Sequence, residues 1–242
     1  MFSLKRECEP LKNVDVAAFA LNVALYVATG IIFYAILPLS FGQVRFWPQV
    51  IIPAVFSVVF GPWVGGLGAA LGIFVNDLVL NSNPLLSLMA GVTSNFAAFW
   101  LIGYIANKQT RWKFSVVVFG VISALLIGLA LVYTELLFAA IIAGSFALLV
   151  VVALLTPKWR SYEVGSVIGL LVGSAIIGIT VPLYGQYFTT AGTPITVPLA
   201  LATFIWTFSS EILFLLALGP PIIEAIHRAF PNFKKEKPRE QQ

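Results

Sequence analysis

Four residues of this sequence invite chemistry because each stands beside or inside a long apolar run: Arg45, Asp77, Asn95 and Glu211. Arg45 shares a short polar stretch with Gln43, Trp47 and Gln49. A guanidinium there can hold a carboxylate or phosphate through paired hydrogen bonds, and the rings of Trp47 or Tyr184 can stack on a flat ligand. Asn76 and Asp77 close another apolar run and are followed by Asn81, Ser82 and Asn83. The amides of Asn76, Asn81, Asn95 and Gln186 can donate and accept hydrogen bonds. Asn83 stands with them, either as a binding group or as an ordinary loop and cap residue. Asp77 either caps a helix or meets a cationic ligand. Glu211 follows Ser209 and Ser210 deep in the last apolar run. A carboxylate in such a place is a proton site, a cation site, a hydrogen-bonding partner for a substrate, or a protonated structural group.

Catalytic signatures are missing. The glycine-rich run from Gly61 to Gly68 has no lysine and is no phosphate loop. His227 is the only histidine and Cys8 the only cysteine, so histidine-cluster and thiolate metal sites and an intrachain disulfide are excluded. No serine lies in a Gly-x-Ser-x-Gly setting. The expectation is a protein that is not an enzyme and holds no metal or cofactor of its own.

The elements that position these residues follow from composition. Of 242 residues, 60% are hydrophobic and 10% charged, and the mean hydropathy is +0.97. Soluble domains carry about 25% charged residues, so this composition excludes a soluble enzyme, a disordered chain and a nucleic-acid binder. It predicts an all-α, polytopic integral membrane bundle, a single transmembrane domain over 1–230 with a charged tail over 231–242.

A bilayer core of about 30 Å needs about 20 apolar helical residues. On that measure the chain divides into about eight spans: 16–39, 48–61, 65–80, 86–106, 114–133, 136–156, 164–183 and 197–218. The Gly61-Pro62 step and Gly65-Gly66 supply the turn between the second and third. These two either cross fully or form a re-entrant hairpin. Tyr133-Thr134-Glu135 marks the turn between the fifth and sixth. Gly219-Pro220-Pro221 ends the last span, leaving 222–230 as a short interfacial helix.

With both termini in the cytoplasm, 13 of the 14 basic residues fall inside, and Arg45 alone lies outside. The net charge of +4 therefore reports topology, and no nucleic-acid partner is expected. Trp112 and Trp159 are expected at the inner interface and Trp47 at the outer one. The polar residues singled out above gather at the outer ends of the helices, as a small-molecule site open to the outside requires. Ala20, Ala24 and Ala28 repeat every fourth residue, a spacing that lets helices approach closely in lipid.

From Phe46 to Lys108 the sequence resembles the substrate-binding membrane subunits (S components) of energy-coupling-factor (ECF) vitamin transporters. The resemblance is carried by Trp47-Pro48, Pro53-Ala54, Phe60-Gly61-Pro62, Gly65-Gly66, Gly72, Asp77, Pro84-Leu85-Leu86-Ser87, Gly91 and Asn95. Ala20, Ala24 and Ala28 look like the alanine face by which the family docks on its transmembrane coupling subunit, and Pro198 to Arg228 is similar to its last helix. The family has six helices, so 114–156 looks like an added hairpin. The resemblance implies a multi-pass cell-membrane protein that captures a vitamin or cofactor precursor and is energised by separate ATPase subunits. The alternative is an ion-coupled secondary transporter or channel using Glu211, although no repeat of the 48–80 pattern is found in the second half.

Overall fold

The computed structural model describes residues 13–80, 82–108, 114–115, 117–121, 124, 128, 144, 157–189 and 196–231. Most of the expected hairpin over 114–156 lies outside them, as do Asn81, Trp112, Thr190, Thr193 and the tail from 232. The described chain is all-α apart from one two-residue-stranded hairpin, and five of its helices are long and apolar enough to cross a membrane.

Helix α1, Asn13–Ile36, has 24 residues, about 36 Å at 1.5 Å per residue. It buries Ala18, Asn22, Tyr26 and Gly30, each four residues from the next, so one helical stripe faces the bundle. Ala20, Ala24 and Ala28 lie on the exposed side.

The chain then forms a hairpin in which β1, Ser40–Phe41, pairs antiparallel with β2, Val44–Arg45. Gly42 at the turn has φ +56°, which side chains bearing a Cβ rarely adopt and glycine takes freely. Trp206 Nε1 donates to the Val44 carbonyl at 3.2 Å. With the Phe41–Trp206 and Phe46–Phe214 ring contacts, that bond folds the hairpin onto the last helix.

Helix α2, Pro48–Val59, opens with a 3₁₀ turn and is buried along almost its whole length. Its 12 residues reach only about 18 Å, short of the roughly 30 Å hydrocarbon core. The expected second span is thus a half-length helix. It starts beside Tyr26, midway along α1, where Trp47 Nε1 donates to Tyr26 Oη at 3.0 Å. Trp47 is accordingly only 4% exposed, and it is a core residue, not the interfacial anchor expected from sequence.

Gly61, at φ +112°, turns the chain into α3, Pro62–Val79. The glycines of α3 bring it against its neighbours without side-chain thickness. A Cβ at Gly65 would stand 1.7 Å from Ser57 Oγ, and one at Gly68 would stand 2.1 Å from Asn22 Nδ2. Asn22 Nδ2 in turn donates to the Val64 carbonyl at 3.1 Å. In lipid, where apolar association has no hydrophobic driving force, such close contact and interhelical hydrogen bonding hold helices together.

Helix α4, Pro84–Ala106, begins at an Asn83 cap whose side chain accepts from the Leu85 and Leu86 amides. It contains a π-helical turn over Ser87–Val92. After a 3₁₀ turn at Pro157–Trp159, α5 runs over Arg160–Phe188 and α6 over Val197–Ala229. Helices α1, α3, α4, α5 and α6 pack each on the next, and α2 sits among α1, α3, α4 and α6.

Two sequence boundaries need correction. The seventh span, expected over 164–183, extends at both ends to 29 residues, so Tyr184 and Gln186 are helical rather than in a loop. The break expected at Gly219-Pro220-Pro221 is absent: α6 continues through it as one 33-residue helix. Proline removes a backbone donor, but neighbouring helices can satisfy the carbonyls nearby. The carbonyls left without their usual donors are those of Leu216 and Ala217, four residues before each proline, and Tyr162 Oη donates one residue earlier, to the Leu215 carbonyl at 2.8 Å.

Candidate ligand cavity

A cavity of about 90 Å³ opens at the hairpin end of the bundle. Its walls come from four places. The hairpin contributes Gln43 and Arg45, and Trp47 follows it; α3 contributes Ile73 and Asp77; the next turn and α4 contribute Ser82, Asn83, Ser87, Gly91 and Asn95; and α5 and α6 close it with Ile177, Val181 and Glu211. The π-helical turn of α4 lies in this wall. Such turns interrupt regular helix hydrogen bonding and are frequent at functional sites. Ser87 and Gly91 occupy it, and Ser87 Oγ donates to Asp77 Oδ2 at 2.6 Å.

At the rim, Arg45 Nη1 lies 2.8 Å from Asp77 Oδ1. Its Nη2 donates to Ser82 Oγ. The guanidinium carbon stands 5.1 Å from the Tyr34 ring centre and 5.7 Å from that of Trp47, within the reach of cation–π attraction. Arg45 and Asp77, expected to meet a ligand anion and a ligand cation respectively, therefore neutralise each other across the rim. Asp77 does not cap its own helix.

Deeper in, a chain of hydrogen bonds crosses the bundle. Trp47 Nε1 donates to Tyr26 Oη, Tyr26 Oη donates to Asn95 Oδ1 at 2.8 Å, and Asn95 Nδ2 donates to the Gly91 carbonyl at 2.9 Å. Both polar atoms of Asn95 are engaged, so it shapes the cavity floor as much as it offers a contact. Glu211 shares that floor, 9% exposed. Among the described residues its carboxylate makes no hydrogen bond and no ion pair. Directly adjoining is a second, small void of about 20 Å³, which shares Asn95, Ile177 and Glu211 with the first and adds Ser94, Ser174 and Thr207.

Of the residues singled out from sequence, Arg45, Trp47, Asp77, Asn83, Asn95 and Glu211 converge on this cavity. Asn81 lies outside the described residues. Asn76 turns the other way: fully buried, it donates to the Tyr26 carbonyl at 3.1 Å and packs against Gly30, where a Cβ would stand 2.6 Å from its Oδ1. It joins α1 to α3 and does not line the cavity. Tyr184 is buried with its ring stacked on Phe188 at 5.3 Å, and neither it nor Gln186 lines the cavity.

Tyr26 was not legible as part of the site. Its only sequence signal is membership of the stripe Ala18, Asn22, Tyr26, Gly30, offset by two residues from the alanine stripe. Glu163 is a second buried acidic residue, 0% exposed near the start of α5, one residue before the span expected over 164–183.

At the opposite end Glu224 on α6 joins two basic side chains, one from the 3₁₀ turn before α5 and one from its own helix. Lys158 Nζ pairs with one of its oxygens and Arg228 Nε with the other, the latter at 3.2 Å. Compared with family models, curated proteins and solved structures, the chain matches none.

Proposed function

We propose that this protein is the substrate-capture subunit of a cell-membrane uptake transporter of the ECF type, an S component for a vitamin or cofactor-precursor-like small molecule. The observation that carries the reading is the convergence of the hairpin, the α3–α4 turn and α5–α6 on one cavity at a single end of the bundle. That end holds Arg45, the one basic residue outside the expected cytoplasmic segments, while Lys158 and Arg228 meet at the other. The assignment of cavity to outside and basic cluster to inside follows the positive-inside rule.

The chain carries no catalysis in this reading. ATP hydrolysis belongs to separate subunits, reached through a transmembrane coupling protein. Ala20, Ala24 and Ala28 lie on the exposed side of α1, away from the Asn22–Tyr26 stripe, which leaves them available to such a partner.

The test is direct. Native mass spectrometry of the full chain should detect a bound small molecule, and the purified protein should bind a vitamin-like compound with no ion gradient present. Failure to bind any member of a broad vitamin panel overturns the reading.

A second reading, an ion-coupled carrier, is favoured by one observation: Glu211 lines both voids and has no ion pair among the described residues. In that case Glu211→Gln abolishes proton- or sodium-driven flux while ligand binding persists.

A further inference from the structure

The charged side chains that line the cavity are Arg45, Asp77 and Glu211. The first two are paired at 2.8 Å, so their charges cancel at the rim. Glu211 remains at the floor, buried and without a hydrogen bond or ion pair among the described residues. An isolated carboxylate in an apolar bundle is costly, and such groups are found paired or neutralised. Among the described residues no cation pairs with it, and the open space beside it is the cavity itself. Its charge is removed either by a proton or by a cationic group that enters the cavity, and the cavity provides the space for the second.

Two kinds of cation are distinguished by the walls. A bare metal ion needs about six oxygen ligands. Beside Ile73, Ile177 and the Asn95 amide the floor offers one carboxylate, with the hydroxyls of Ser94, Ser174 and Thr207 in the adjoining void, and no cluster of three His, Cys, Asp or Glu side chains occurs among the described residues. An organic cation needs one carboxylate, apolar walls for its body and an aromatic surface, and Trp47, Ile73, Ile177 and Val181 supply the last two. The volume of about 90 Å³ lies below the roughly 300–1,000 Å³ of drug-sized sites, so the ligand is compact.

Resting on the capture-subunit reading, we propose that the ligand is a compact organic cation whose ammonium nitrogen pairs with Glu211 at the cavity floor, its apolar body against Ile73, Ile177 and Val181. The Arg45–Asp77 pair stands at the rim above it. Glu211 thus sets specificity for charge, and the rim pair keeps Arg45 from repelling the ligand.

The experiment uses the purified full chain in nanodiscs and reads binding by calorimetry. The probes are choline and ethanolamine as cations. Beside them stand 3,3-dimethylbutan-1-ol, which keeps the shape of choline without its charge, and the anions biotin and pantothenate. At least one cation is expected to bind, with its uncharged or anionic counterparts at least ten-fold weaker. Glu211→Gln is expected to weaken that cation at least ten-fold, with Glu211→Asp retaining part of the affinity. The comparison of charged and uncharged probes on the unaltered protein stands even if the Gln variant fails to fold. Binding of biotin or pantothenate, unchanged in Glu211→Gln, overturns the cation assignment while the capture reading stands. Binding by none of the probes overturns the cation assignment, and only the broader vitamin panel then decides the capture reading. Cation binding that survives Glu211→Gln while sodium- or proton-driven flux is lost assigns Glu211 to ion coupling and overturns the proposal.

Discussion

Tyr26 and Asn95, 69 residues apart in sequence, are joined by a 2.8 Å hydrogen bond from the phenol to the amide oxygen. The bond ties the middle of α1 to the wall of the cavity, and Trp47 extends it by donating to the same phenol oxygen. Removing the hydroxyl in Tyr26→Phe leaves the indole N–H and the Asn95 oxygen without their partner. Stranded buried polar groups cost about 1–3 kcal/mol, so the variant should unfold earlier. Thermal unfolding in detergent checks this, and an unchanged midpoint would show that the network contributes nothing.

The rim pair is the second target. Arg45 and Asp77 have side chains 15% and 14% exposed. Breaking a largely buried ion pair leaves a lone charge and typically costs about 3–5 kcal/mol, more than removing both partners together. Asp77→Asn and Arg45→Met should each destabilise the protein, and the double variant should lose less than the sum. A double-mutant cycle on thermal stability reads the coupling. Strict additivity would mean that the two side chains do not interact.

The contact of α1 with α3 predicts a partial rescue. Gly68→Ala places a Cβ 2.1 Å from Asn22 Nδ2, and overpacking of this kind costs typically about 1–3 kcal/mol. Trimming the obstructing side chain in Asn22→Ala/Gly68→Ala should recover part of the loss, although the bond from Asn22 to the Val64 carbonyl goes with it. Unfolding midpoints of the two single variants and the double variant decide the matter.

Ala24 separates folding from partnership. It lies on the exposed side of α1, so Ala24→Trp should leave the unfolding midpoint and ligand affinity unchanged. In the proposed function the same substitution blocks docking. Co-purification with an ATPase complex should then be lost, and retention of the complex would remove α1 from the interface.

Much of this was legible in the sequence because it depends on local quantities. Hydropathy over a window of about 20 residues marks long apolar helices wherever they pack, and α1, α4 and α5 lie close to where that measure puts them. Arg45, Asp77, Asn95 and Glu211 stood out for a similar reason: a polar group in an apolar run is costly wherever it ends up. The Gly61-Pro62 turn was equally local, since the backbone conformation at Gly61 belongs to glycine.

Pairing and direction were decided only by the tertiary structure. Sequence cannot tell that Asp77 meets Arg45 or that Asn76, its immediate neighbour, points away from the cavity into α1, because neighbours on a helix face different sides. Trp47 reads as an interfacial ring until the hairpin folds inward and hands its indole to Tyr26. Pro220 and Pro221 read as a helix end, yet α6 runs through them, packed along α5. The residues rich in chemistry were visible in the sequence through their cost in an apolar chain. Which of them share a cavity, and which one is left there without a partner, depended on contacts between helices that are distant in sequence.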